Sequence, residues 1–333
     1  MPALVGLVLG SFLFAMLACT AAPDDGGSAD QEVPRREVKS ASVALAPSDV
    51  FALPPPSQAK DALPSPRPPA LTRERTVLEE ARSDFSHVQV VQQGRRRSLI
   101  FLRERGGELV QTTIEVHHAD RLTLAYAQAQ AAALLLVPRP QRVLILGLGG
   151  GTLPRFFHRT IPGVEIDAVE IDPVVVRLAA QWFGVEAGPR LRIFTEDAIA
   201  FIAAAKQDYD LIYVDAFLEP NQAGVDNSGI PLALRKRTIL ADLRAHLSAG
   251  GAAIFNLHFR SGYAEQVSTI AEVFGRRYIV KVKGSTQRHI IAFAESGPPV
   301  DPQELAKRAA ILDRDGRFGV DFAALVGQIS ALD

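Results

Sequence analysis

Short, mostly apolar runs recur along the second half of the chain, and segments with helical spacing separate them. The runs lie at 142–147, 164–170, 191–196, 209–215 and 252–258. Apolar runs of this length are typical of parallel strands that are buried on both faces. Their alternation with helices predicts a parallel sheet whose strands are joined by right-handed crossovers.

The last two strand-like runs are connected differently. Residues 277–283 and 288–293 flank a turn that begins at Gly284. This spacing predicts an antiparallel hairpin that closes the edge of the sheet. Two helices are predicted to finish the chain.

A smaller antiparallel sheet is predicted ahead of the alternating region. Strand-like runs separated by glycine-containing turns occur at 87–91, 98–102 and 109–116. We therefore expect a small β domain over residues 83–118. The Ala- and Leu-rich segment 122–136 has helical spacing and stops before Pro138, and it opens a second domain over residues 119–333.

The N-terminal segment, residues 1–22, has the composition of a signal or a lipoprotein anchor. Residues Ala3 to Ala22 are almost wholly apolar, which fits a secretory signal or a short membrane span. The sequence Leu17-Ala-Cys-Thr20 resembles a bacterial lipoprotein cleavage box, so Cys19 is a candidate lipidation site. The alternative is an uncleaved single anchor.

Residues 23–82 are predicted to form a tether between this anchor and the folded domains. Proline, alanine, serine and aspartate dominate most of the segment, which cannot bury enough apolar surface to offset its ordering entropy. We expect disorder, with a short helix at 72–82. The charge distribution around the apolar run favours a membrane-anchored protein whose domains lie on the non-cytoplasmic side.

Composition narrows the classes of function. The 333 residues are 47% hydrophobic and carry a net charge of −1, so no overall field favours a nucleic-acid partner. Cys19 is the only cysteine, which excludes a disulfide framework and any zinc site built on several cysteines.

A glycine cluster follows the first run of the large sheet. The loop contains Gly147, Gly149, Gly150 and Gly151, and Glu170 ends the next strand 23 residues after Gly147. Glycines allow close backbone approach to a ligand, and an acid at that strand end can accept both hydroxyls of a ribose. The dinucleotide fingerprint needs a further glycine where Thr152 stands. The spacing therefore favours a class I S-adenosylmethionine-type Rossmann sheet over an NAD-binding one.

Two aspartates follow the next strands of the predicted sheet. Asp197 comes after 191–196, and Asp215 ends 209–215. Ligands in such sheets bind at the carboxyl ends of the strands. Asp197 can accept a hydrogen bond from an adenine amine, and Asp215 precedes a long polar loop of the kind that often covers a site. His258 lies on the same side of the sheet.

Together these features resemble the spermidine synthase (polyamine aminopropyltransferase) family, in a divergent bacterial branch. The likeness covers about residues 83–295 and includes the strand with Gln111, Tyr126 on the following helix, and Ile230-Pro231 before a later helix. The family transfers an aminopropyl group from decarboxylated S-adenosylmethionine to an amine and needs no metal. Its members commonly form homodimers.

The resemblance implies roles for individual residues. Glu170 matches the ribose-binding acid, Asp197 with Ala198 the adenine-contacting pair, and Asp215 the catalytic aspartate. It also makes Tyr126 and Gln111 candidate substrate-binding residues.

The departures from the family pattern occur at positions where the family binds the amine groups of its substrates. Gly150 stands where the family has an aspartate that pairs with the amine of the donor. Gln128 and Leu218 stand in two further carboxylate positions, although Glu219 is adjacent and is kept as a candidate substrate-binding residue. Because an unpaired buried ammonium is costly, polyamine transfer is doubtful.

Three hypotheses remain open at this point. The protein is an aminopropyltransferase-like enzyme acting on a small-molecule amine, a methyltransferase that uses intact S-adenosylmethionine on another nucleophile, or a non-catalytic binding protein that retains the fold.

Overall fold

A computed structural model of the protein describes residues 74–103, 106–218, 223–226, 229–259 and 262–332. The predicted anchor with Cys19, most of the predicted tether, and Glu219 lie outside these ranges, so those interpretations stay predictions. Within the ranges, no helix is both long and apolar enough to cross a bilayer.

The small N-terminal sheet has four antiparallel strands in the order β1-β2-β3-β4. They are β1 (Thr76–Arg82), β2 (His87–Gln93), β3 (Arg96–Leu102) and β4 (Glu108–Glu115). The three strand-like runs predicted here are thus present.

The prediction of a helix at 72–82 is wrong for the described part of that segment. Thr76–Arg82 pairs antiparallel with β2, with Val77 opposite Val91. Backbone pairing with β2 outweighs the helix propensity of the Glu-Glu-Ala-Arg sequence that ends the segment. The small sheet therefore begins at β1, within the segment that was assigned to the predicted tether.

The large sheet has eight strands in the order β12-β10-β11-β9-β8-β5-β6-β7. The strands are β5 (Arg142–Leu146), β6 (Glu165–Glu170), β7 (Leu191–Thr195), β8 (Tyr209–Val214), β9 (Leu247–His258), β10 (Arg277–Lys281), β11 (Gln287–Phe293) and β12 (Ile329–Leu332). Strands β5 to β9 pair in parallel, and β9 to β12 pair antiparallel. This is the predicted Rossmann-like sheet.

Nine α-helices and one 3₁₀ helix, Leu232–Arg235, are present in the described ranges. The α-helices are α1 (Ala125–Gln130), α2 (Ala133–Leu136), α3 (Thr152–Thr160), α4 (Pro173–Phe183), α5 (Ala198–Ala204), α6 (Arg237–Ala245), α7 (Tyr263–Val273), α8 (Pro302–Asp315) and α9 (Phe322–Val326). The predicted helix at 122–136 is two short helices, and the predicted hairpin is not the edge because β12 pairs outside β10.

The strand order places the ligand crevice. Strands β5, β6 and β7 run outward in chain order, and β8 then returns to the other side of β5. The carboxyl ends of β5 and β8 thus flank the topological switch point, where ligands bind in open α/β sheets.

Both faces of the large sheet are covered by apolar side chains. Val143 and Ile145 of β5 belong to one core cluster, and Leu144 and Leu146 belong to the other. All four are at most 1% exposed. Double-sided burial accounts for the continuous apolar run of this strand.

Polar contacts attach the small sheet to α4. Buried Arg97 of β3 donates to Gln92 Oε1 at 2.8 and 3.1 Å and to the carbonyl oxygen of Trp182 at 2.6 Å. Ser83 donates to Asp172 Oδ2 at 2.7 Å, while Asp172 Oδ1 caps the start of α4. These bonds hold the small sheet over the carboxyl ends of the parallel strands.

Candidate functional site

A cavity of about 450 Å³ lies at the switch point. Its floor comes from the loops after β5 to β8, and its roof from β4, α1 and the β10–β11 turn. The sequence-predicted residues that line it are Gln111, Tyr126, Gly147, Gly149, Glu170, Asp197, Ala198, Asp215 and His258. Among the predicted site residues that the structure describes, Gly150 and Gly151 do not line it.

The glycine loop serves two different purposes. Gly147 has a φ of +98°, and a Cβ there would run into the carbonyl group of Asp215, so glycine lets the loops after β5 and β8 touch. Gly151, which precedes α3, has a φ of +66° and faces the side chain of Val185. The first glycine shapes the cavity, whereas the last allows close packing behind it.

The position of Gly150 has no free space for a side chain. Its amide donates to Thr112 Oγ1 of β4 at 2.9 Å. A Cβ at Gly150 would lie 2.6 Å from Thr112 Cγ2 and 2.9 Å from Thr112 Cβ. The family's aspartate would fit here only if β4 or Thr112 moved.

Glu170 ends β6 beside the glycine loop. Its Oε2 accepts from the amide of Leu148 at 2.9 Å, and Oε1 accepts from the amide of Asp172 at 3.1 Å. Burial raises the pKa of Glu170, and the backbone donors oppose that rise. A carboxylate has about four acceptor positions, so acceptor capacity remains for a ribose hydroxyl beside the backbone donors.

Replacing Glu170 with alanine should weaken binding of methylthioadenosine by about 1–3 kcal/mol, because hydrogen bonds to a charged acceptor are lost. Titration calorimetry measures the effect. Glu165→Ala is the matched control, since Glu165 lies exposed at the opposite end of the same strand. Equal affinities for the two variants would show that Glu170 does not hold the nucleoside.

Asp197 caps α5 and also faces the cavity. Its Oδ1 accepts from the amides of Ile199 and Ala200 at 2.7 and 3.1 Å. Within the described ranges, its other oxygen accepts no hydrogen bond. The capping role and the predicted adenine contact are therefore compatible, because each uses a different oxygen. Glu196 lines the cavity next to it.

Asp215 lies between two side-chain amides that come from different elements. Gln130 of α1 donates to Oδ2 at 2.9 Å, and Asn256 of β9 donates to Oδ1 at 2.7 Å. Burial raises the pKa of Asp215 to about 6, while the two amide donors oppose the rise. The group is mainly ionised at neutral pH and still basic enough to accept a proton.

Tyr126 and Gln111 lie on the roof of the cavity. The Tyr126 hydroxyl donates to the carbonyl oxygen of Gln111 at 2.6 Å. Burial and the nearby charge of Asp215 raise the pKa of Tyr126, so its hydroxyl stays neutral. The Gln111 Nε2 is buried without a partner in the described part of the chain. A ligand with an acceptor atom at the roof would satisfy this amide.

Four of the histidines differ in their exposure and in their distance from the cavity. His289 is fully buried, and its Nε2 lies 2.9 Å from the carbonyl oxygen of Tyr126. Burial lowers the pKa of His289 to about 4, so this histidine is neutral. His258 lines the cavity, with its ring edge-on to Phe217. His117 and His118 are exposed and do not line the cavity.

The residues that replace family carboxylates do not supply a negative charge. Gln128 turns back toward the start of its own helix and donates to the carbonyl oxygen of Leu122 at 2.8 Å. Leu218 lines the cavity with an apolar side chain. Two exposed cations, Arg103 and Lys283, line the cavity on the side of the small sheet and the β10–β11 turn.

Sequence reasoning missed both amide partners of Asp215. Gln130 is a polar residue within an alanine-rich helix and lies four residues after Tyr126, on the same helical face. The neighbouring Gln128 has the same residue type, so the sequence alone did not single out Gln130. Asn256 was not distinguishable from other polar residues near a strand end. Among the described residues, no group of three or more His, Cys, Asp or Glu side chains could hold a metal ion.

Comparisons with known proteins agree with this geometry. The model of the spermine/spermidine synthase domain matches residues 129–226. A polyamine aminopropyltransferase of Vibrio vulnificus is 32% identical over 243 residues, which are 71% of this chain and 78% of that protein. These comparisons concern the aminopropyltransferase side of the resemblance.

Two further comparisons concern methyltransferases. The human eEF1A lysine and N-terminal methyltransferase is 31% identical over 188 residues, which are 54% of this chain and 27% of that protein. The crystal structure of human methyltransferase-like protein 13 in complex with SAH matches with a TM-score of 0.50 and 29% identity, over 58% of this chain and 89% of that chain.

The Vibrio relative is similar over more than two thirds of both chains, and the matched domain includes the glycine loop, Glu170, Asp197 and Asp215. The chain belongs to the spermine/spermidine synthase (polyamine aminopropyltransferase) family.

Proposed function

We propose that this protein is a transferase that binds an S-adenosylmethionine-type nucleoside and transfers a group from it to a nucleophile less cationic than a polyamine. The observation that carries the proposal is one cavity in which Glu170 and Asp215 both lie beside the glycine loop. One carboxylate is placed to hold a donor, and the other to accept a proton.

The donor half of the cavity fits an adenine nucleoside. Glu170 has acceptor capacity left for the ribose hydroxyls, and Asp197 has one oxygen beyond its cap for the adenine amine. Gly147 and Gly149 keep the loop free of side chains where the sugar would approach. These contacts support binding of either intact or decarboxylated S-adenosylmethionine.

Asp215 is the proposed base. The bound donor supplies an electrophilic carbon next to a sulfonium, from which a neutral thioether departs with the electron pair of the broken bond. A protonated amine cannot attack, so Asp215 orients the nucleophile and takes its proton as the new bond forms. Gln130 and Asn256 fix the carboxylate in place for this step.

The acceptor half of the cavity does not favour a polyamine. Leu218 is neutral, Gln128 turns away to the carbonyl oxygen of Leu122, and the exposed cations Arg103 and Lys283 line this side. A dication such as putrescine would meet like charges and too few carboxylates. A neutral nucleophile, or one that carries its own acidic group, suits these residues better.

Methyl transfer from intact S-adenosylmethionine is the second candidate, and Gly150 favours it. The intact donor carries a carboxylate that an aspartate at this position would repel, and Thr112 leaves no space for such a side chain. A relative in the comparisons is named as a lysine and N-terminal methyltransferase, and both of those targets are amines.

Product analysis with the full chain separates these candidates. The protein is incubated with either donor and with acceptors that differ in charge: putrescine, a monoamine and an amino acid. Methylthioadenosine formed from the decarboxylated donor indicates aminopropyl transfer, and S-adenosylhomocysteine formed from the intact donor indicates methyl transfer. If neither product forms with any acceptor although a donor binds, the protein is a binding protein and the proposal is wrong.

A further inference from the structure

The Gln130 side chain next to Asp215 is only half satisfied. The residue is 1% exposed, and its Nε2 donates to Asp215 Oδ2 at 2.9 Å. Its Oε1 is buried and has no hydrogen-bond partner in the described part of the chain. Leaving a buried carbonyl oxygen unpaired is unfavourable, so such a group in a folded protein needs an explanation.

Asn256, on the other side of the same carboxylate, differs in one respect. It is 3% exposed, and its Nδ2 donates to Asp215 Oδ1 at 2.7 Å. Its Oδ1 accepts a long hydrogen bond of 3.5 Å from Gln287 Nε2. This second partner favours the orientation in which Nδ2 of Asn256 faces Asp215, and Gln130 has no equivalent in the described part of the chain.

We propose that Gln130 is a positioning residue that serves both protonation states of Asp215, because its amide turns over when the carboxylate takes up a proton. With Asp215 ionised, Nε2 donates to Oδ2. With Asp215 protonated, the new O–H donates to Oε1 after a half-turn of the amide. The proton that arrives is the one that the nucleophile loses, so this inference rests on the proposed function.

The surroundings permit such a turn without moving the helix. The carbonyl oxygen of Gln130 accepts from the Tyr213 hydroxyl at 3.1 Å, which fixes the backbone, and in the described part of the chain the side-chain amide is held only by its bond to Asp215. After the half-turn, Nε2 would occupy the place where Oε1 now has no partner among the described residues, so the turn breaks no hydrogen bond other than the one to Asp215. The protonation state of Asp215 then decides between them.

Other titratable groups near Asp215 come from several elements, and none of them is substituted in the test. They are Tyr126 on α1, Tyr213 on β8, His258 on β9 and His289 on β11, with Glu170, Lys283 and Arg103 around the rest of the cavity. Only Gln130 and Asn256 are replaced, so a difference in the Asp215 midpoint between the two variants comes from these two amides.

The test is a carboxyl titration of the ligand-free full chain by carbon-13 NMR with labelled aspartate, with Asp215→Asn identifying the signal. Asn256→Leu removes a donor that serves only the carboxylate, so the midpoint of Asp215 should rise by about 0.5–1 pH unit. Gln130→Met removes a partner of both states, so the midpoint should stay within about 0.3 pH unit of the wild-type value.

An upward shift in Gln130→Met as large as that in Asn256→Leu would show that Gln130 is a fixed donor and would overturn the inference. Gln130→Leu replaces Gln130→Met if the latter does not fold, and Gln130→Glu should raise the midpoint strongly because it adds a second carboxyl group. The titration needs no turnover, so failure of the proposed function leaves its result interpretable. Where activity is found, Gln130→Met should lower kcat while leaving the midpoint of the acid limb in place.

Discussion

Replacing Asp215 with asparagine is expected to lower the rate of group transfer by about 10²–10⁴-fold, the usual contribution of a general base. The amide keeps the size of the side chain and can still contact Gln130 and Asn256, but it cannot take a proton from the nucleophile. Binding of the nucleoside should change little, because Glu170, Asp197 and the glycine loop are the residues proposed to hold it. The measurement is single-turnover product formation with the acceptor identified by product analysis.

The pH dependence of the wild-type rate tests the same role of Asp215 as a base. Burial raises the pKa of Asp215 to about 6, and the ionised form is the one that accepts a proton. The rate should therefore rise with pH through about 6, and Asp215→Asn should lose this dependence. Asp242→Asn, on the exposed face of α6, is the matched control. Full activity of Asp215→Asn would contradict the assignment of the base.

Spermidine formation from putrescine is expected to be slower by several orders of magnitude than transfer to a less cationic acceptor. Each missing charge-assisted contact should cost about 1.5–3 kcal/mol, and the two family carboxylates on the acceptor side are replaced by Gln128 and Leu218. The assay follows spermidine made by the purified full chain from putrescine and decarboxylated donor.

Restoring one carboxylate should not recover this activity. In Gly150→Asp the new side chain would collide with Thr112, whose Cγ2 lies 2.6 Å from the position of the new Cβ. Spermidine formation by the wild type at about one turnover per second, an ordinary enzyme rate, would contradict the account if Asp215→Asn abolished it. Glu219 would then be the first candidate for the missing amine contact.

The large sheet was predictable because its strands are buried on both faces. The run from Val143 to Leu146 is apolar without interruption, and both of its faces are covered. Strand β1 was not predictable in the same way, because its Glu-Glu-Ala-Arg end favours a helix locally. Only pairing with β2, a contact that local sequence does not encode, makes it a strand.

The site residues that could be predicted are those that directly follow a strand of the parallel sheet. Glu170, Asp197 and Asp215 follow successive strands, and the topology brings them to one cavity. The glycine spacing could not distinguish Gly147, which shapes the cavity, from Gly151, which packs against Val185. Both positions have a positive φ, and only the neighbouring elements separate the two roles.

The amides around Asp215 were beyond a reading of the sequence. Gln130 and Asn256 lie 126 positions apart and come from a helix and a strand. Each is an ordinary polar residue until the fold places both against one buried carboxylate. Their contribution depends on burial and geometry, which a single sequence does not supply.

The most direct test of the central claim is titration calorimetry of the full chain with S-adenosylmethionine, its decarboxylated form and methylthioadenosine. The account predicts that at least one of the three binds with one-to-one stoichiometry and that Glu170→Ala weakens that binding by about 1–3 kcal/mol. Folded protein that binds none of the three at millimolar concentration would contradict it.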